Sequence, residues 1–134
     1  MIRILEYLLR HCAFLLTSPT YRIVDSRVTE SFGGDAYLVL ESSSLRMRFV
    51  CDRGQLFLDF QSRSHSSDAA WFSVDVVRRL LDGEQPVSAE LDSDYAAFLE
   101  HEIAEIEACF SERLDETVAE LRRLERVRAK ELFG

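Results

Sequence analysis

The sequence predicts an α+β domain. An N-terminal helix leads, a four-stranded antiparallel meander occupies about residues 20–61, and three helices follow at about 73–82, 94–110 and 112–133, the last two as an αα-hairpin. Three observations lead there. Apolar residues recur at helical spacing as far as Ser18-Pro19, alternate with period two between Tyr21 and Gln61, and return to helical spacing after Trp71. Glycine-containing pairs, Gly33-Gly34 and Arg53-Gly54, punctuate the alternating stretch where hairpin turns belong. A chain of 134 residues with five Gly and two Pro has the size of one core and no room for a long linker, so 1–134 reads as a single domain.

In the first eighteen residues, Ile4, Leu5, Leu8, Cys12, Leu15 and Leu16 share a helical face, while Glu6, Arg10 and His11 interrupt the apolar run. No stretch approaches the ~20 residues of a membrane span, so a packed amphipathic helix is expected rather than an anchor or signal. Pro19 disfavours helical geometry at Ser18 and ends it. Tyr21–Thr29 is rich in β-branched residues but alternates poorly because of Asp25 and Arg27, which suggests a bulge or an edge position. Phe32-Gly33-Gly34-Asp35 reads as a turn.

Three cleaner strands follow at Ala36–Glu41, Leu45–Cys51 and Gln55–Gln61. Their apolar sets, Ala36/Leu38/Leu40, Leu45/Met47/Phe49/Cys51 and Leu56/Leu58/Phe60, should face one core. That condition is met by pairing Leu40 with Leu45 and Leu38 with Met47, and by pairing Cys51 with Leu56 and Phe49 with Leu58. The second pairing sets Arg48 opposite Asp59 on the outer face, and its turn falls at Arg53-Gly54 or Asp52–Gln55.

Ser62–Ala70 is polar and aperiodic, a loop. In the helix after it, Ser73 is an N-cap residue, Asp75 lies in the first turn, Val76, Val77, Leu80 and Leu81 face the sheet, and Gly83 is the C′ residue. Asp92 or Ser93 can cap the next helix, with its stripe Tyr95, Leu99, Ile103, Ile106 and Phe110. Ser111 is placed to cap the last, whose stripe runs Leu114, Val118, Leu121, Leu124 or Glu125, and Leu132.

Charge is the strongest functional signal. Met1–Gly83 carries ten arginines and ten acids and is neutral. Glu84–Glu120 carries twelve acids against the single base Arg113, a net −11, and Leu121–Gly134 carries a net +3, together the −8 of the chain. A field of that sign repels nucleic acid and attracts a cationic protein surface. The acids nearest helix N-termini also suit the helix dipole, which is the structural alternative. The basic residues Arg122, Arg123, Arg126, Arg128 and Lys130 suit a helix C-terminus or pairing with acids of the preceding helix better than phosphate binding.

No catalytic, metal or cofactor constellation emerges. Cys12, Cys51 and Cys109 are odd in number and far apart, which fits buried free thiols of a reducing cytoplasm. His101 and Glu105 share a helical face but supply two ligands only. His11 and Cys12, adjacent on a helix, point about 100° apart. His65 with Ser64, Ser66, Ser67 and Asp68 offers hydrolytic residue types without a nucleophile turn or an oxyanion loop. Trp71-Phe72 reads as a plug between helix and sheet before a recognition anchor.

Leu45-Arg46-x-Arg48-Phe49, Asp52-Arg53-Gly54-Gln55, Leu58-Asp59, Trp71-Phe72-Ser73 and Leu80-Leu81-x-Gly83 resemble the corresponding stretches of small uncharacterised bacterial α+β proteins, including immunity proteins of polymorphic toxin systems. The resemblance spans about forty residues. It implies a non-catalytic protein that neutralises a partner, and it carries over no functional residue. The leading expectation is therefore an interaction module whose acidic face (Glu90, Asp92, Asp94, Glu100, Glu102 and Glu105, anchored by Tyr95 and Phe98) engages a basic partner, without nucleic acid, membrane, metal or cofactor. Two other readings stay open: a homodimeric domain like a secretion chaperone, and a small-ligand-binding domain or enzyme with an unrecognised pocket.

Overall fold

The computed structural model describes residues 1–29, 35–66 and 68–133. The expected turn at Phe32-Gly33-Gly34 lies outside the described residues. Among them the order is α1 (Ile2–His11), α2 (Ala13–Thr17), β1 (Arg22–Val28), β2 (Ala36–Glu41), β3 (Leu45–Asp52), β4 (Gln55–Ser62), β5 (Phe72–Ser73), α3 (Val74–Asp82), α4 (Ser93–Cys109) and α5 (Leu114–Phe133). The strands form one antiparallel sheet in the order β1-β2-β3-β4-β5, a meander with a short fifth strand added beside β4.

One face of the sheet packs on the helices. Ala36, Leu38, Leu40, Leu45, Met47, Phe49, Cys51, Leu58 and Phe60 enter a core with Ile4, Tyr7 and Leu8 of α1, Val76 and Val77 of α3, Leu99 and Ile106 of α4, and Leu121 of α5. Burying a side chain of this size contributes about 1.5–3 kcal/mol, so these positions dominate the stability. The opposite face carries Tyr37, Val39, Glu41, Arg46, Arg48, Val50, Phe57, Asp59 and Gln61.

The β3–β4 register agrees with the alternation: Phe49 lies opposite Leu58, Cys51 opposite Leu56 and Arg48 opposite Asp59. The turn is Arg53-Gly54, both with positive φ (52° and 81°), the primed geometry whose twist matches that of the strands. The β2–β3 register differs from expectation by two residues. Leu40 faces Met47 and Leu38 faces Phe49, so the same faces meet one pair further along. The Ser42 hydroxyl accounts for the shift: it accepts from the amides of Ser44 (3.3 Å) and Leu45 (3.1 Å), which closes a two-residue turn on Ser43-Ser44. Glu41 then meets Arg46 across the strands. β1 is an edge strand, and its register slips between Ile23 and Asp25, a bulge at Val24.

The N-terminal helix is broken once, at Cys12 (φ −126°, ψ 31°), and restarts when the Leu15 amide donates to the Cys12 carbonyl. The break falls at a completely buried residue. Ser73 precedes α3 as expected, but its hydroxyl turns to the Asp75 carboxylate instead of a backbone amide. Gly83 closes α3 in the left-handed region, φ 86°, with its amide on the Arg79 carbonyl. Asp92 caps α4 through the Tyr95 amide, 2.9 Å. Ser111 does not cap α5, because its hydroxyl donates back to the Glu107 carbonyl of α4, 2.7 Å, and α5 begins at Leu114. The last two helices lie close together, and α5 is also tied to α3 by Arg79–Glu131 and Arg128–Asp75. Leu132, expected on the buried stripe, is exposed beside Phe133 at the end of α5.

Candidate interaction surfaces

The acidic segment begins in the connection between α3 and α4, which the Leu91 amide fastens to the Leu56 carbonyl of β4 at 2.8 Å. Along α4 the exposed positions are Ser93, Asp94, Ala97, Glu100, His101, Ala104 and Glu105, a stripe of acids and small residues opposite the core. Glu90 and Asp92 are exposed just before it, and Glu112, Asp115 and Glu116 just after, where α5 starts. Glu102 is partly buried, with its carboxylate 3.1 Å from His101 Nδ1.

Tyr95 and Phe98, expected as anchors for a partner, are buried at 4% and 6% exposure. The Tyr95 phenol donates to the Ser88 carbonyl. Burial, then the charges of Asp75, Asp92 and Asp94, push it up to about 12 despite Arg78, so it is neutral. The Arg78 guanidinium lies 5.3 Å from the Tyr95 ring and 5.1 Å from the Phe98 ring, and bridges Asp82 and Asp94. Both rings therefore serve the α3–α4 contact. Tyr95 lies on the expected apolar stripe with Leu99 and Ile106, and Phe98 widens the buried face beside it.

Ion pairing thins the acidic charge only in part. Of the twelve acids between Glu84 and Glu120, Asp94, Glu105 and Glu120 pair with Arg78, Arg113 and Arg123 respectively. The other nine have no arginine or lysine at ion-pair distance among the described residues. Two of them are used structurally: Asp92 caps α4, and the Glu107 carboxylate accepts from the hydroxyls of Tyr21, Ser42 and Ser44, joining α4 to the β2–β3 turn. Burial, the Glu107 hydrogen bond and its charge raise the Tyr21 phenol far above its ordinary value.

Two polar networks elsewhere hold their charges in place. Asp75, 3% exposed, accepts from Arg128 (2.9 and 3.1 Å), Gln85 (2.8 Å) and Ser73. Burial alone would raise its carboxyl, but the hydrogen bonds of Ser73 and Arg128, the Arg128 charge and Gln85 outweigh it and hold it below the ordinary value. Arg128 is thus a tie between α5 and α3. On the outer face Glu41 receives Arg46 (3.0 Å), Arg63 (3.3 Å) and Arg22 (3.4 Å). The three cations overcome its burial, and its carboxyl too lies low. Arg46 also holds the Gln61 side chain and the His65 carbonyl, and Gln61 holds the Ala69 carbonyl, which fastens the 62–70 loop to this face.

A shallow groove of about 370 Å³ occupies the rest of the outer face, between Tyr37, Arg48, Val50, Phe57, Asp59 and Ala89. Its one cation, Arg48, is spoken for: it donates to Asp59 at 2.8 Å and stacks 4.4 Å from the Trp71 ring. Trp71 faces outward and Phe72 inward at 3% exposure, so only Phe72 is the plug between helix and sheet. Among the described residues neither His65 nor His11 has a side-chain hydrogen bond to a serine or cysteine. His11 lies beside the Tyr7 ring, and burial pushes the Cys12 thiol up to about 12. His101 and Glu105 have different partners, Glu102 and Arg113 respectively. Among the described residues no three His, Cys, Asp or Glu side chains converge on a metal position, and no helix is long and apolar enough to cross a membrane.

No family model, no curated protein and no solved structure matches this chain.

Proposed function

We propose that the chain is a non-catalytic protein-interaction module that engages a basic protein surface through its acidic helical end. The observation that carries this reading is the set of exposed acids without a cationic partner among the described residues, Glu90, Asp92, Glu100, Glu112, Asp115 and Glu116, beside a Met1–Gly83 part that carries no net charge. Because Tyr95 and Phe98 are buried, the contact is electrostatic and lacks an aromatic anchor on α4. Neutralisation of a partner, as the resemblance to immunity-type proteins implies, falls within this reading. The three separated, buried free thiols support a reducing cytoplasmic setting.

The test is capture of partners from the native host at low and moderate salt, comparing the wild type with a Glu90→Gln, Glu100→Gln, Glu102→Gln variant. A specific basic partner retained by the wild type, and weakened by salt and by the variant, is the expected result. A partner held equally by both proteins at high salt removes the electrostatic reading.

A further inference from the structure

We propose that two copies of the chain pair antiparallel through β1, with Ser26 on the two-fold axis, so that their five-stranded sheets become continuous. The other edge strand, β5, is two residues long and runs straight into α3, whereas β1 offers seven residues, every one of them exposed. Ile23, Val24 and Val28 are 56%, 43% and 57% exposed, an apolar content unusual for an edge left to water.

Backbone phase selects the residues that can pair. The Thr29 amide donates to the Asp35 carbonyl at 2.8 Å, which makes Thr29–Asp35 a hydrogen-bonded pair and the neighbouring Val28–Ala36 pair a non-bonded one. Hydrogen-bonded and non-bonded pairs alternate along an antiparallel ladder, so Arg27 also bonds to β2 while Ser26 and Val28 turn their N–H and C=O groups outward. A second strand must therefore set Ser26 or Val28 against an outward-facing residue of its own.

Charge then selects one register among those. With Ser26 opposite its counterpart, Asp25 of each copy faces Arg27 of the other, and Val24 faces Val28. Asp25 and Arg27 share the outer face with Val39 and Tyr37, and the Tyr37 hydroxyl already steadies Asp25 at 3.2 Å. Arg27 has no ion-pair partner among the described residues of its own chain. Sliding one copy so that Asp25 meets Asp25, or Arg27 meets Arg27, brings like charges together. The charges that discourage indiscriminate strand addition are thus complementary in a single self-pairing. The bulge at Val24 confines the seam to the Val24–Val28 stretch.

Light scattering after size-exclusion chromatography, with sedimentation equilibrium up to near-millimolar concentration, tests this. The wild type is expected to dimerise. Asp25→Arg and Arg27→Asp should each raise the dimer dissociation constant about tenfold or more, since both symmetry-related pairs become repulsive. An equimolar mixture of the two variants should associate as tightly as the wild type, because one copy then presents two cations to two anions. Ser26→Pro removes only an outward N–H and should give a folded monomer by circular dichroism. A monomeric wild type, single variants that dimerise as the wild type does, or a mixture no tighter than either variant alone would each overturn the pairing.

Discussion

Replacing Arg128 by methionine isolates the tie between α5 and the body of the domain. Arg128 donates to both Asp75 oxygens and to the Ser73 hydroxyl, and its loss leaves a carboxylate with 5% side-chain exposure facing only Ser73 and Gln85. Removing one partner of a buried ion pair costs about 3–5 kcal/mol. The remaining donors, and the 28% exposure of the arginine side chain, favour the lower end, about 3 kcal/mol. That is a large share of the roughly 5–15 kcal/mol typical of a domain. With a urea slope of about 2 kcal/mol/M, the midpoint should fall by about 1.5 M, read by circular dichroism and by the fluorescence of Trp71, the single tryptophan. Asp75→Asn should cost less, because the freed guanidinium can turn to solvent. The double variant should be less destabilised than the sum, by about 1–2 kcal/mol. The pH dependence follows from the direction of the Asp75 shift. A carboxyl held below its unfolded value contributes fully above about pH 4 and loses its contribution as pH falls through the folded value. The difference between wild type and Asp75→Asn should therefore shrink below pH 4. An unchanged midpoint for Arg128→Met, or strictly additive single variants, would refute the reasoning.

Other perturbations bear on different parts of the fold. Phe49, 1% exposed and 6.5 Å from the Tyr7 ring, should cost about 3–5 kcal/mol when changed to alanine, whereas Phe133→Ala, 88% exposed, should stay within about 0.5 kcal/mol. Equal chemical-denaturation midpoints for the two variants would contradict the core assignment. Gly54→Ala meets no atom within 4 Å but must hold φ near +81°, so it should destabilise by about 1 kcal/mol with no change in fold. No measurable loss would argue against the primed turn. Cys12, Cys51 and Cys109 should react with a thiol reagent at neutral pH only as the protein unfolds, and rapid labelling of the native state would contradict their burial.

What the sequence reveals and what it conceals divides along physical lines. The β3–β4 hairpin is legible because Gly54 marks its turn, and the Arg48–Asp59 pair supports the register that the apolar sets also favour. Across β2–β3, alternation cannot separate registers that differ by two residues, and the Ser42 hydroxyl decides. β5, at two residues, is too short to carry a period. Asp75 and Arg128 stand 53 positions apart, so only folding shows that a basic residue of the C-terminal helix serves a buried carboxylate. The acidic end was visible from charge counting alone. Its expected anchors are absent from that surface: Tyr95 belongs to the apolar stripe that the helical spacing already marks, and Phe98 is buried beside it, which a single stripe does not express.

The acidic surface is tested most directly by stopped-flow association with a purified basic partner recovered from the host. The association rate of the wild type should fall steeply as ionic strength rises, because exposed charges act over a Debye length of about 8–10 Å. The Glu90→Gln, Glu100→Gln, Glu102→Gln variant should associate about tenfold more slowly at low salt and converge on the wild type at high salt. Rates independent of salt, and equal for the two proteins, would contradict the claim that the acidic helical end is the docking surface.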